Sequence, residues 1–216
     1  MNATIDPVSL ALGFGLLSLV PVGIIVCTSF LKISAVLLML RNALGVQQIP
    51  PNVALYALAL ILSAYVMAPV GTQIFDQVST LPQRSSDMPK LLEQLKTGAE
   101  PVRGFMMRNS RIEQRRFFVE TTHRLWGPEM SKDVKADDFL VLMPAFLVSQ
   151  INAAFEIGFL LYLPFVIIDL VVSNILLAMG MMMVSPVMIS LPLKLFLFIM
   201  LDGWTRLIQG LVLSYA

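Results

Sequence analysis

Hydrophobic and polar positions divide this chain into an apolar stretch, a polar stretch and a second apolar stretch. Val8 to Leu31 is a run of 24 residues without a charge, and Pro51 to Phe75 is a second uncharged run. About 20 apolar residues suffice to cross a hydrocarbon layer of about 30 Å, so each run predicts a membrane-type helix. Between them Lys32 and Arg41 are the only charges, Gly45 is a helix stop, and Pro50-Pro51 cannot lie inside a regular helix. The pattern therefore predicts a hairpin over residues 1–75. A cleavable signal peptide is the competing reading of the first run. The run is long for a signal sequence and only Asp6 precedes it, which favours a retained helix.

Of the 29 charged residues, 21 lie between Asp76 and Asp138. This insert, residues 76–138, reads as helical. Asp87 is placed to cap a short helix bearing Leu91, Leu92 and Leu95, with Gly98 as its stop. Ser110-Arg111-Ile112-Glu113 has the form of a capping box, opening a helix that runs to Trp126 and ends at Gly127-Pro128. On it Phe118, Thr122, Leu125 and Trp126 share a face. Arg111, Arg115 and Arg116 lie elsewhere and read as a solvated side rather than a ligand site.

The third stretch, residues 139–216, begins near Phe139 and continues past Phe155. Ala145, Ser149 and Ala153 recur every four residues, a small-residue face suited to close helix packing, although chance alignment in an Ala-rich segment gives the same spacing. Ile157 to Gly180 and Val187 to Tyr215 then flank the methionines Met179, Met181, Met182 and Met183, and predict a long hairpin with its tip at residues 181–183. The expected fold class is all-α: membrane-type helical hairpins around a polar helical insert. By the positive-inside rule the Lys32–Arg41 loop is cytoplasmic and the insert faces the other side.

Five charges interrupt the last apolar stretch: Glu156, Asp169, Lys194, Asp202 and Arg206. An unpaired charge in a bilayer costs about 2.5–3.5 kcal/mol even on the lenient insertion scale, so each needs a partner or water. Counted from Met182, Asp169 and Lys194 lie at matching depths on opposite arms, as do Glu156 and Arg206. Two opposite-charge rungs, Asp169–Lys194 and Glu156–Arg206, are expected, within one subunit or across a boundary. Asp202 and Arg206 are alternatively spaced for a local pair on one helix. Proton relay through Asp169 and Glu156 is the sharper reading, and structural ion pairing the plainer one.

Composition narrows the function classes. With 57% hydrophobic residues, 13% charged residues and a mean hydropathy of +0.80, the chain is far from an ordinary soluble domain. Its net charge of +1 offers no basic face for nucleic acid. The single cysteine, Cys27, excludes an internal disulfide, and the single histidine, His123, excludes a His-rich metal site. No nucleophile elbow or phosphate loop surrounds a serine, and His123 sits on the solvated helix, so no catalytic residue or cofactor is expected. The remaining alternative is a multi-span transporter or ion-channel subunit for small solutes, but the halves show no clear internal repeat.

Three ordered stretches resemble one family. RNALGVQQIPPN (Arg41 to Asn52), PAFLVSQINAAFEIGFLLYLP (Pro144 to Pro164) and PFVIIDLVVSNILLAMGMMMVSP (Pro164 to Pro186), continuing into ISLPLKLFLFIMLDGW, are similar to the SctR subunit of type III secretion export gates, whose flagellar counterpart is FliP. RNALGVQQIPPN and the LDGW ending resemble the virulence branch more than the flagellar one. The resemblance implies a non-enzymatic core subunit of a protein-conducting gate, forming a pentameric ring joined to S and T subunits and contacting the U and V subunits of the export apparatus. It implies unfolded secreted proteins as substrates, a bacterial inner-membrane location with lipid contact, and a gate lying partly above the membrane on its periplasmic side. It assigns Met181, Met182 and Met183, with Met179 at the margin, to a methionine gasket that closes the pore. Without the resemblance, these methionines read as gap-fillers of a core. Gln150 stands where relatives carry Glu or Gln, so Lys194 has two candidate partners, Gln150 and Asp169.

Overall fold

A computed structural model describes residues 15, 18, 21–46, 49–79 and 88–216. Its helices, in chain order, are α1 (Phe30–Leu44), α2 (Asn52–Ser79), α3 (Met88–Arg108), α4 (Ile112–Leu125), α5 (Gly127–Ser131), α6 (Phe139–Ala178), α7 (Pro186–Met200) and α8 (Gly203–Leu213). A helical segment, Pro21–Cys27, precedes α1. No strand occurs among the described residues, so the fold is all-α.

The first apolar run does not continue as one rod to Leu31. The chain bends by 80° between Pro21–Cys27 and α1. Hydroxyl groups cause the break by offering the backbone partners outside the helix ladder. Thr28 Oγ1 accepts the N–H of Phe30 at 3.3 Å, and Ser63 Oγ on α2 donates to Thr28 Oγ1 at 3.2 Å. Ser29 Oγ reaches Ser63 Oγ at 3.0 Å. The part of the run before residue 21 lies mostly outside the described residues.

α1 is the central helix. Ile33, Val36, Leu37 and Leu40 are fully buried, and α1 packs on α2, α6 and α7. Burying such a side chain stabilises by about 1.5–3 kcal/mol, and these four share their core cluster with Leu55 of α2, Phe165 of α6 and Phe198 of α7. α1 stops at Gly45, whose φ of 75° is the left-handed conformation that glycine adopts without strain, and whose N–H bonds Asn42 O. α1 approaches α6 closely at Gly158, where an added Cβ would lie 2.2 Å from Met39 Sδ.

The insert packs into this body. α3 runs through Gly98 and Pro101 to Arg108, so Gly98 is not a stop. Phe105 and Met106 on its last turns are buried against Leu142 and Phe146 of α6 and Val70 of α2, which holds the helix together past the glycine. Asp87, expected as its cap, lies outside the described residues.

The capping box is not formed. Ser110 Oγ turns back to Met107 O at 3.3 Å, and Arg111, in extended conformation, precedes α4. The N–H of Arg111 is taken instead by Ser149 Oγ of α6 at 2.9 Å. Tertiary contact thus replaces a local cap. α4 ends beside Trp126 and Gly127, as the Gly-Pro pair predicts.

α6 joins the third and fourth apolar runs into one helix of 40 residues that continues past Pro144 and Pro164. At 1.5 Å per residue it is about 60 Å long. It is apolar on all sides, and Phe155, Phe159, Leu163 and Ile167 are exposed in the single chain. A helix of that kind requires covering by lipid or by other protein. The return arm is shorter than the periodicity predicts. It breaks by 62° between α7 and α8 at Asp202, which has φ 52° and ψ 44°. Aspartate tolerates this conformation better than most residues, and Thr205 Oγ1 donates to its carboxylate at 3.1 Å. The following Gly203 is needed for close approach, because a Cβ there would lie 2.3 Å from Phe198.

Candidate functional site: a methionine tip and the polar contacts behind it

The α6–α7 hairpin carries the methionines at its tip. α6 closes in a Schellman turn: Met181 N–H bonds Leu176 O at 2.9 Å and Gly180 N–H bonds Leu177 O at 3.0 Å, with Gly180 at φ 71°. Ser185 is extended and Pro186 opens α7 at the first-turn position that lacks nothing by losing its N–H. The turn residues therefore satisfy their own backbone and leave the side chains free. Met181 and Met179 are partly and largely exposed, and Met182 and Met183 stand out at 83% and 101%. The tip carries no charge.

Behind the tip the two arms are tied by one ion pair. Lys194 Nζ of α7 donates to Asp169 Oδ2 of α6 at 2.6 Å. The pair is lopsided: the lysine side chain is 7% exposed and the aspartate 40%. Lys194 also points at the end of α1, with Nζ 3.5 Å from Ala43 O. The carbonyl end of a helix carries partial negative charge, so α1 supplies a second favourable contact for the ammonium.

Gln150 is not a partner of Lys194. It is buried, its Nε2 donates to Asn109 O at 2.8 Å, and its Oε1 accepts from Tyr215 Oη at 2.6 Å. This amide ties the end of α3 to the segment after α8. Two residues that the sequence reading did not single out complete the cluster. The ring of Tyr215 stacks on Phe105 at 5.8 Å between centroids and lies under Lys32 Nζ at 3.5 Å. Lys32 is buried and forms no ion pair among the described residues, so the aromatic face is its compensating contact. Sequence patterning takes Lys32 for a loop charge that sets orientation, whereas Lys32 and Arg41 both lie on α1. The aromatic partner of Lys32 lies at the other end of the chain.

Glu156 and Arg206 do not meet within the chain. Glu156 pairs with Arg111 of the insert at 2.8 Å, and both side chains are more than half exposed. Arg206 makes no ion pair among the described residues, not even with Asp202, and borders an apolar cavity of about 430 Å³ between α6 and α7–α8. The bend at Asp202 turns α8 away from the line on which the depth count relied. Ala145 and Ser149 are buried and admit the Ser110–Arg111 turn, whereas Ala153 is half-buried. Ala154 and Gly158, next to this face, receive α1. His123 is exposed on α4, and no group of three or more His, Cys, Asp or Glu that could hold a metal occurs among the described residues.

The FliP family pattern matches residues 14–211. The chain belongs to the FliP family. The relatives to which it is similar include the harpin secretion protein HrcR of Erwinia amylovora and the Yop proteins translocation protein R of Yersinia pestis. Each is 50% identical over 210 residues, 97% of either chain. The virulence protein YscR of Salmonella typhimurium is 45% identical over 206 residues, 93% of either chain. These are virulence-type members of the FliP/SctR family, in line with the branch suggested by RNALGVQQIPPN and LDGW. As a FliP family member the chain is a structural subunit of a type III secretion apparatus and not an enzyme. Among the described residues two helices are long and apolar enough to cross a membrane, or up to four spans if each bent pair counts as one, in keeping with a membrane location.

Proposed function

We infer that this FliP family chain is a core subunit of the export gate, a ring that joins S and T subunits and passes unfolded proteins across the bacterial inner membrane. In this reading Met181, Met182 and Met183 form a gasket that seals the pore, with Met179 at its edge. The observation that carries it is the tip itself: uncharged thioethers held outward by a self-satisfied Schellman turn at the head of a long apolar hairpin. Methionine is unbranched and polarizable, so a ring of these side chains packs against itself and yields to a passing chain. Apolar constrictions exclude ions by dewetting.

The length of α6 supports a gate lying partly beyond the bilayer. Fitting about 60 Å of apolar helix into a 30 Å hydrocarbon layer requires a tilt of about 60°, outside the range of 0–40° seen for membrane helices. Protein neighbours covering part of α6 remove that conflict. The Asp169–Lys194 contact then sets the register of the two arms, and through it the position of the tip. Ala145 and Ser149 seat the Ser110–Arg111 turn, and the neighbouring Ala154 and Gly158 supply the close packing of α1 on α6.

The test is ion efflux from liposomes containing the gate assembled with S and T subunits. Replacing Met181, Met182 and Met183 with alanine removes the seal and raises efflux while the assembly survives. An intact assembly that stays tight after the triple substitution refutes the gasket, and failure of the chain to assemble with S and T refutes the gate.

A further inference from the structure

The bend at Asp202 leaves a hollow in the body of the chain. Where α8 turns from the line of α7 by 62°, a cavity of about 430 Å³ opens between α6, α7 and α8. Its walls include Phe165, Phe198 and Leu207, which belong to the buried core and are at most 8% exposed in the chain by itself. The cavity is cut into one chain's own core, so its walls stay in place whether or not a neighbour covers its mouth. At Gly210 of α8, which lines it, an added Cβ would meet nothing within 4 Å. Protein interiors are close-packed, and apolar walls offer water no hydrogen bonds, so a space of this size suits an apolar occupant. One charge stands at the cavity, Arg206. It is exposed, and its guanidinium has no hydrogen-bond or ion-pair partner among the described residues. The carboxylates nearby in the chain are engaged elsewhere. Asp202 accepts from Thr205, and Glu156, beside the cavity-lining Ile157, pairs with Arg111. Glu156 and Arg111 are both more than half exposed and mark a level at which charges meet water.

We propose that this cavity binds an anionic phospholipid, with one acyl chain between α6, α7 and α8 and the phosphate on Arg206. An apolar slot with an unpartnered arginine at its polar edge is complementary to a molecule that joins a hydrocarbon chain to an anionic head. The guanidinium is a planar fork that takes two phosphate oxygens at once, which an ammonium cannot do. Basic positions between membrane helices hold anionic headgroups in the same way. The acyl chain fills the hollow that the 62° bend opens and so braces α8 against α6. The inference rests on the membrane location of the chain and not on the methionine gasket.

The experiment uses the full chain in liposomes, by itself and assembled with S and T subunits. The probes are phosphatidylglycerol and phosphatidylcholine carrying the same photoreactive acyl chain, and labelled residues are mapped by peptide mass. In both preparations phosphatidylglycerol labels Phe198 and Leu207 about fivefold more than phosphatidylcholine does. Arg206→Gln removes that preference, while labelling of the outward-facing Phe159 of α6 in the chain by itself is unchanged. Gly210→Leu extends a side chain into the open space, on a helix where leucine is favoured over glycine, and excludes both probes from the cavity. An unlabelled cavity, equal labelling by the two lipids, or a preference that survives Arg206→Gln overturns the proposal. So does labelling of the chain by itself that vanishes on assembly, because a protein neighbour then fills the cavity.

Discussion

The lopsided burial of the Asp169–Lys194 pair makes its two halves unequal under mutation. Asp169→Asn leaves an ammonium with 7% exposure facing only neutral acceptors, the new amide and, at 3.5 Å, Ala43 O. Removing one partner of a fully buried pair costs about 3–5 kcal/mol. Asp169 is 40% exposed, so solvent already screens part of the attraction, and about 1.5–3 kcal/mol is expected. Lys194→Met, in contrast, removes the more deeply buried charge; the Asp169 side chain it leaves is 40% exposed although its Oδ1 is buried without a partner, so about 0.5–1.5 kcal/mol is expected, less than for Asp169→Asn. The double variant Asp169→Asn/Lys194→Met resembles the second single variant, not the sum. Exchange of the charges, Asp169→Lys/Lys194→Asp, rescues incompletely, because it sets a carboxylate against the carbonyl end of α1 at a cost of about 0.3–1 kcal/mol. Thermal unfolding of the detergent-extracted chain, followed by loss of the monodisperse species, gives the ranking. If Lys194→Met destabilises as much as Asp169→Asn, the asymmetry argument is wrong.

Tyr215→Phe keeps the stack on Phe105 and the contact with Lys32 but orphans Gln150 Oε1. It is expected to cost about 1–3 kcal/mol in the same unfolding assay, and Tyr215→Leu about 0.5–2 kcal/mol more through loss of the cation–π contact. Gly158→Ala drives a methyl into Met39 Sδ, lowering stability by about 1–3 kcal/mol, and shortening Met39 to alanine in the same chain relieves the clash. Ser149→Ala withdraws the acceptor of the Arg111 N–H, so amide exchange at the start of α4 accelerates about fivefold or more, corresponding to about 1 kcal/mol. Glu156→Gln breaks an exposed pair and leaves the unfolding temperature within the range expected for about 0.5 kcal/mol.

The local elements that the sequence predicts follow from short-range physics. Gly45 ends α1, Gly127 follows α4, and the uncharged run after Pro51 becomes α2, because turn chemistry and apolar length act over a few residues. The same holds for the hairpin tip, where Gly180 and Pro186 bracket the methionines. Depth counting along two straight arms brings Asp169 opposite Lys194. Within one chain it does not bring Glu156 to Arg206, because the count crosses Asp202, where the helix axis turns by 62°. Other departures have one origin, a tertiary contact outweighing a local preference. α3 passes Gly98 because Phe105 and Met106 bury further on, and Ser149 of α6 takes the N–H that a capping box would have used internally.

By itself, then, the amino-acid sequence determined an all-α chain of apolar hairpins, its family, and the methionine tip, since apolar length, turn residues and extended motif similarity are written along the chain. Only the tertiary structure decided how the buried charges are met. Lys32 and Tyr215 lie at opposite ends of the chain, and no periodicity links a cation on α1 to an aromatic face after α8. The partner of a buried charge is whichever group the fold brings within a few ångströms, because desolvation makes that choice costly to leave unmade.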